Sequence, residues 1–153
     1  MNIRFKQMQR PKAALLSVLC AAMVILGQSV KADDMSAVRL TVFDYFEGIN
    51  EVSLSRLQRA FSETAELKSV SESGELVAEP IEAAINRWMK GEAQEREGRI
   101  LAVDLSGDPI ARVVFDFDGA YVDFLTLAKL RGEWKIIDKV FIRSAAACCE
   151  TDR

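Results

Sequence analysis

The sequence contains no histidine, and this absence excludes several kinds of active site. Nucleophile systems of the Ser-His-Asp and Cys-His types need an imidazole as their base. The common zinc sites need histidine or suitably spaced cysteine ligands. Both kinds of site are therefore excluded.

Cysteine is scarce as well. The chain has three, of which Cys20 lies in an apolar N-terminal run and Cys148 and Cys149 are adjacent near the C-terminus. Adjacent cysteines lack the Cys-x-x-Cys spacing of a redox helix or a zinc knuckle. We interpret the pair as incidental; the alternative is a vicinal or intermolecular disulfide, which an oxidising compartment permits. No metal and no cofactor are expected.

Basic residues are few in the part of the chain that can form a domain. Five of the 20 Lys and Arg fall in residues 1–32, so 15 remain against 23 Asp and Glu, a net charge of −8. No basic stripe interleaved with aromatic residues is present. Since an acidic surface repels phosphate backbones, we expect no nucleic-acid partner.

The first 32 residues have the layout of a secretory signal peptide. Four basic residues precede the apolar run "AALLSVLCAAMVILG", and Val30 and Ala32 stand three and one positions before a cut that leaves Asp33 first. The run is shorter than the roughly 20 residues of a stable membrane-spanning helix. We expect an exported protein, periplasmic or secreted, with no stable membrane anchor after cleavage. A retained anchor is the alternative.

The rest of the chain is long enough for one domain with a single core. We assign residues 33–143 to that domain and residues 144–153 to a flexible C-terminal tail. Three segments show the three-to-four spacing of amphipathic helices: "DDMSAVRLTVFDYFEGIN", "SLSRLQRAF" and "EPIEAAINRWMKG". Tyr45 and Trp88 fall on the apolar sides of the first and third helices. A strand-like piece, "AELKSV", and a turn around Gly74 separate the second helix from the third.

From Gly98 onward the apolar period changes from 3.6 to 2. This predicts four strands, at roughly 99–105, 110–117, 120–130 and 133–143. Asp118-Gly119 suits a two-residue type I′ turn, and a three-residue loop is expected at 131–133. In this register Asp123 and Lys139 belong to a solvated charge ladder on the outer face.

The same register places two polar side chains on the apolar inner face. Thr126 and Asp138 become direct neighbours there, beside the small Ala111, so a cavity with a polar floor is expected. A buried carboxylate without a partner costs several kcal/mol. Asp138 is therefore either an acid, base or ligand contact with a raised pKa, or a structural group that accepts a bond from Thr126.

The predicted architecture is α+β: three N-terminal helices on the inner face of a curved, mainly antiparallel sheet. The element order, with "YFEGIN", "LQRAF", "GRILAVDLSGDPIARVVFDF" and "GEWKIIDKVF", resembles the putative lumazine-binding family of the nuclear transport factor 2-like superfamily over residues 38–143. The resemblance implies a cone-shaped fold. Members often carry a histidine after the second helix, whereas here Ser62 follows Phe61, so no role of that histidine is carried over.

Two classes of function follow from these observations. The first is an exported domain that binds a small, largely apolar molecule in its cone or pairs with a partner, with a homodimer through the sheet expected from the resemblance. Its candidate ligand-binding residues are Tyr45, Trp88, Thr126 and Asp138, although aromatic residues at helical spacing, such as Tyr45 and Trp88, are more often plain core. The alternative is a metal-independent isomerase, dehydratase or cyclase that uses Asp138 as acid or base.

Overall fold

The computed structural model describes residues 33–107 and 109–144. The predicted signal peptide and nearly all of the predicted tail, with Cys148 and Cys149, lie outside the described residues. The chain divides into two compact units, Met1–Asp34 and Met35–Arg153. All six strands belong to the second unit, which is the one considered below.

The three predicted helices are confirmed. Helix α1 covers residues 33–50, α2 covers Leu54–Ala60 and α3 covers Ile81–Trp88. The apolar side of α1 is buried as its spacing predicts, and Gly48 allows α2 to approach closely, because a Cβ there would lie 2.8 Å from Leu57 Cδ2. No helix in the described part of the chain is long and apolar enough to cross a membrane.

The sheet has six strands in the order β2-β1-β6-β5-β4-β3. Strands β1 and β6 run parallel, and every other neighbouring pair is antiparallel. The second strand, which is short and mostly exposed, was not anticipated from the sequence; the other five were. The strand bounds are β1 Phe61–Val70, β2 Leu76–Pro80, β3 Gly98–Gly107, β4 Ile110–Phe117, β5 Tyr121–Leu130 and β6 Glu133–Arg143.

The loop between β4 and β5 is one residue longer than predicted. Asp118 and Gly119 do have positive φ angles, 60° and 65°, as expected for the turn. However, Phe117 pairs with Tyr121 rather than with Ala120, so Ala120 joins the loop. Because side chains alternate along a strand, this shift turns every residue of β5 to the opposite face. Asp123 is therefore buried inside, and Thr126 lies outside beside Arg112.

The strand β6 contains a bulge that the register did not predict. The loop before it has two residues, Arg131 and Gly132, both with positive φ, instead of three. Leu127 pairs with Ile136 while Thr126 pairs with Asp138, so Ile137 is the extra residue of a β-bulge. The predicted pairing of Thr126 with Asp138 is confirmed, but the predicted face is wrong for both residues.

The bulge changes which residues of β6 face the core: even-numbered residues before it and odd-numbered residues after it. Trp134 and Ile136, before it, are buried against the core as predicted. After it, Lys139 and Phe141 point inward, and Asp138 points outward. The helices thus cover the inner face of the sheet. In the core between them, aromatic rings from α1 and β4 make edge and tilted contacts; these rings include Tyr45, Phe46, Phe115 and Phe117.

Candidate functional site

A cavity of about 280 Å³ opens between the helices and the inner face of the sheet. Its lining residues come from α1, α3, β1, β4, β5, β6 and two loops. Most of its wall is apolar, with one aliphatic residue from α1 and one from β1. Five aromatic side chains line it: Tyr45, Trp88, Phe117, Tyr121 and Phe141.

Three polar groups meet at the inner wall of this cavity. The Tyr45 hydroxyl donates to Asp123 Oδ2 at 2.7 Å, and Lys139 Nζ donates to the same oxygen at 2.7 Å. Lys139 Nζ also donates to the Tyr45 hydroxyl oxygen. The three residues are almost entirely buried, with exposures of 1% for Tyr45, 0% for Asp123 and 6% for Lys139. We refer to Tyr45, Asp123 and Lys139 as the inner polar cluster.

The two oxygens of Asp123 differ in their bonding. Oδ2 accepts both hydrogen bonds of the cluster, whereas Oδ1 is buried and has no hydrogen-bond partner among the described residues. Leaving a buried acceptor unpaired costs free energy, more so when it carries charge. The cluster is therefore incomplete on the Oδ1 side of Asp123.

Burial shifts the ionisation of both partners of Asp123. It raises the pKa of Tyr45 well above its ordinary value, and the nearby Asp123 charge raises it further. Burial lowers the pKa of Lys139, an effect that the Asp123 carboxylate partly opposes. Tyr45 is consequently a persistent hydrogen-bond donor, and Lys139 gives up its proton more readily than a solvated lysine.

Aromatic rings surround the Lys139 ammonium. Its nitrogen lies 4.6 Å from the ring centroid of Tyr45, 5.3 Å from that of Phe141 and 5.9 Å from that of Phe117. Such contacts attract a cation. Together with Asp123 they favour the ammonium form in the resting protein, so the cluster holds one positive and one negative charge.

Two arginines stand at the edge of the cavity. The Arg96 guanidinium lies 5.6 Å from the Phe117 ring centroid, and that of Arg87 lies 5.8 Å from the Trp88 ring centroid. Arg87 also forms an ion pair with Glu79 at 2.6 Å. The cavity lining thus includes two guanidinium groups, one of them paired with Glu79, and the carboxylate of Asp118.

The four residues proposed from the sequence separate into two pairs. Tyr45 and Trp88 both line the cavity, with ring centroids 6.1 Å apart. Thr126 and Asp138 lie on the outer face of the sheet and do not line it. Asp138 forms an ion pair there with Lys68, and its side chain is 30% exposed. The inward placement of Asp138 is wrong because the bulge at Ile137 reverses the facing of the strand.

Sequence reasoning missed Asp123 and Lys139 as cavity residues. Their diagonal proximity across the strands was predicted correctly, but on the solvated face. The alternation in "YVDFLTLA" fits either face, since Val122 and Phe124 compete with Leu125 and Leu127 for the interior. The extra loop residue, Ala120, goes with the register that places Asp123 inside and Val122 outside.

We expect Lys139→Met to destabilise the fold by about 3–5 kcal/mol, because it leaves Asp123 as a buried charge with no opposite charge beside it. The double variant Asp123→Leu with Lys139→Met should cost much less than the sum of the single changes, since it removes both charges together. Equilibrium urea unfolding measures each value.

Lys68→Met is the matched control for that experiment. It breaks the Lys68–Asp138 ion pair on the outer face, where solvent stabilises the remaining Asp138 carboxylate, and should have only a small effect. An equal loss of stability in Lys68→Met and Lys139→Met would contradict the distinction between the two pairs.

Tyr45 should keep its proton at a pH where an ordinary tyrosine is ionised. Its pKa is raised above 10.0, so its contribution to stability is fully present below pH 10 and is lost as the pH rises above that value towards the folded pKa. Ultraviolet absorbance should show one of the two tyrosines ionising late or only on unfolding. Tyr45→Phe should abolish this late-ionising component. If the component persists in the variant, it belongs to Tyr121 and the assignment to Tyr45 is wrong.

Several solved structures are similar in fold to this chain. A nuclear transport factor 2-like protein of unknown function from Shewanella baltica OS155 has a TM-score of 0.66 and 22% identity, covering 73% of this chain and 94% of its own. A like protein of unknown function from Silicibacter pomeroyi DSS-3 has a TM-score of 0.65 and 26% identity, covering 74% and 98%.

More distant similarity extends to a ketosteroid isomerase-like protein from Erwinia carotovora atroseptica. Its TM-score is 0.53 with 10% identity, and the match covers 71% of this chain and 94% of that one. At this identity the likeness shows the fold alone. No curated protein matches the chain.

The family described as putative lumazine-binding matches residues 33–142, which is most of the chain. The match includes the three helices and the six strands of the described residues, apart from Arg143 at the end of β6. The six-stranded sheet has the architecture of the nuclear transport factor 2-like structures above. The chain therefore belongs to the putative lumazine-binding family and has the nuclear transport factor 2-like fold.

Proposed function

We propose that the cone binds a small, largely apolar molecule that donates a hydrogen bond to Asp123 Oδ1. The observation that carries this proposal is the buried Oδ1 atom, which has no hydrogen-bond partner among the described residues and belongs to a residue lining the cavity. A donor from a ligand would recover about 1–3 kcal/mol that the unpaired acceptor costs.

The walls of the cavity support a flat ligand. Aromatic side chains face it from several directions, and such rings prefer stacked or edge contacts with other rings. The volume of about 280 Å³ is near the lower end of the usual range for ligand pockets, roughly 300–1,000 Å³. A molecule of one or two rings with an N–H or O–H group suits these dimensions.

The ligand would be held by two kinds of contact. Trp88 and Tyr45 supply apolar ring surface, and Asp123 supplies directional specificity. Lys139 and Tyr45 both donate hydrogen bonds to Asp123 Oδ2, which fixes the orientation of the carboxylate and leaves Oδ1 without a partner among the described residues. A preorganised acceptor of this kind avoids the entropy cost of ordering a side chain on binding.

Membership of a family described as putative lumazine-binding supports a small ligand of this type. Lumazine is a flat bicyclic molecule with N–H donors, and its 1,3-dimethyl derivative lacks them. This pair separates donation to Asp123 from simple occupancy of an apolar cavity.

Lumazine should raise the melting temperature of the protein, and 1,3-dimethyllumazine should do so much less. At a concentration of about 100 times the dissociation constant, binding adds about 2.7 kcal/mol to stability. Trp88→Ala and Asp123→Asn should each reduce the shift, because one removes a wall and the other removes the carboxylate. Thermal unfolding followed by fluorescence or calorimetry measures the effect.

Asp138→Asn on the outer face is the control, and its thermal response to lumazine should equal that of the unchanged protein. Steroids and polyketide-like compounds extend the same assay. If no flat donor-bearing compound shifts the melting temperature, or if the shift survives both cavity variants, the proposed binding function is wrong.

Export to the periplasm or the medium is proposed from the N-terminal sequence alone.

A second candidate, homodimerisation through the sheet, is favoured by its outer face. The register places Val114, Val122, Phe124, Val140 and Ile142 there, and Phe124 and Ile142 are exposed. This face is more apolar than the sequence predicted, and exposed apolar patches mark association surfaces.

Mass spectrometry of the protein recovered from a secreting host tests both proposals. Under denaturing conditions the mass should correspond to a chain that begins at Asp33, and under native conditions to two such chains. Phe124→Lys should shift the population to monomer, whereas Leu40→Lys on the exposed side of α1 should not. A retained N-terminus contradicts cleavage, and a monomer throughout contradicts the dimer.

A further inference from the structure

We propose that Lys139 is a nucleophile that forms a reversible imine with aldehyde or ketone ligands inside the cavity. The proposal rests on the proposed function, because the same cavity must first admit the ligand. It adds the chemical class of that ligand, a small aromatic or apolar carbonyl compound, and a covalent step.

The position of the Lys139 amine is unusual for a lysine. Lysine side chains are almost never fully buried, yet Lys139 is 6% exposed and lines an aromatic cavity. The bulge at Ile137 is what turns it inward; without the bulge, the alternation of β6 would present Asp138 instead. Bulges that re-aim a side chain are over-represented next to active sites.

The groups that imine formation requires are within hydrogen-bond reach of this amine. Asp123 Oδ2, at 2.7 Å from Nζ, can accept a proton and return it. The Tyr45 hydroxyl contacts both Nζ and Asp123, so it can relay a proton between nitrogen and oxygen. A positioned acid or base of this kind must lie at such distances to act.

The step balances without any further reactant. The Lys139 ammonium passes a proton to Asp123, and the free amine attacks the carbonyl carbon, forming a C–N bond as the C=O π pair moves to oxygen. Tyr45 gives a proton to that oxygen and takes one from nitrogen, which produces the carbinolamine. Asp123 then protonates the hydroxyl, the C–O bond breaks, and water leaves.

The product is a protonated imine beside an ionised Asp123. The buried charge pair is therefore the same before and after the reaction, so the cavity never holds an uncompensated charge. The direction of the Lys139 shift agrees with this course, because burial lowers the pKa of Lys139 and so favours release of its proton. Lysines desolvated in apolar pockets are activated as amine nucleophiles in this way.

Reductive trapping tests the proposal on the full chain. We expect 4-hydroxybenzaldehyde with sodium cyanoborohydride, near neutral pH, to add one aryl-methyl group, located by peptide mapping at Lys139. The matched compound 4-hydroxybenzyl alcohol lacks the carbonyl and should add nothing. Lys135→Arg, on the same strand, should label as the unchanged protein does, and Lys139→Arg should not label at this position.

A second variant separates chemistry from simple accessibility. Tyr45→Phe keeps the ring and removes the proton relay, so it should slow labelling by about a hundredfold at saturating aldehyde, a loss that a higher aldehyde concentration does not recover. Label spread over exposed lysines in the unchanged protein would overturn the proposal, as would labelling of Lys139 that Tyr45→Phe leaves equally fast. Absent labelling with an intact lumazine response would overturn the covalent step alone; loss of both would overturn the binding function as well.

Discussion

The buried carboxylate of Asp123 is the constraint on which the inner structure depends. An uncompensated charge in this apolar cone would cost several kcal/mol, so an opposite charge and a hydrogen bond must be held against it. Lys139 comes from β6 and Tyr45 from α1, and the three groups meet only if the sheet register and the position of the helix agree. A shift of one residue in the register of either strand is enough to break this agreement.

The same pair of residue types has different consequences on the two faces of the sheet. Lys68 and Asp138 on the outer face are partly exposed, and water stabilises their charges whether or not they touch. Lys139 and Asp123 on the inner face are almost completely shielded from water, so water cannot stabilise their charges in the same way. Solvent access, and not the chemistry of the side chains, makes one pair a surface contact and the other the polar part of a ligand-sized cavity.

Much of the fold was predictable from the sequence, and the site only in part. Three helices, five of the six strands, and the positive φ angles at Asp118 and Gly119 follow from apolar periodicity and turn chemistry. Tyr45 and Trp88 were placed correctly because their helical faces are unambiguous. Asp123 and Lys139 were not, because strand alternation has a period of two and a single added residue, Ala120 in a loop or Ile137 in a bulge, exchanges the faces.

By itself, the sequence determined the architecture, the absence of histidine chemistry and the family to which the chain belongs. These follow from composition and from patterns that many residues share, so an error at one position does not alter them. The tertiary structure decided that the Asp123 carboxylate is buried and that the Asp138 carboxylate is in contact with solvent. That choice depends on the register of two strand pairs. The apolar residues of β5 fit either face of the sheet. Packing against α1, with the Lys139 charge brought inward, selects between the two faces.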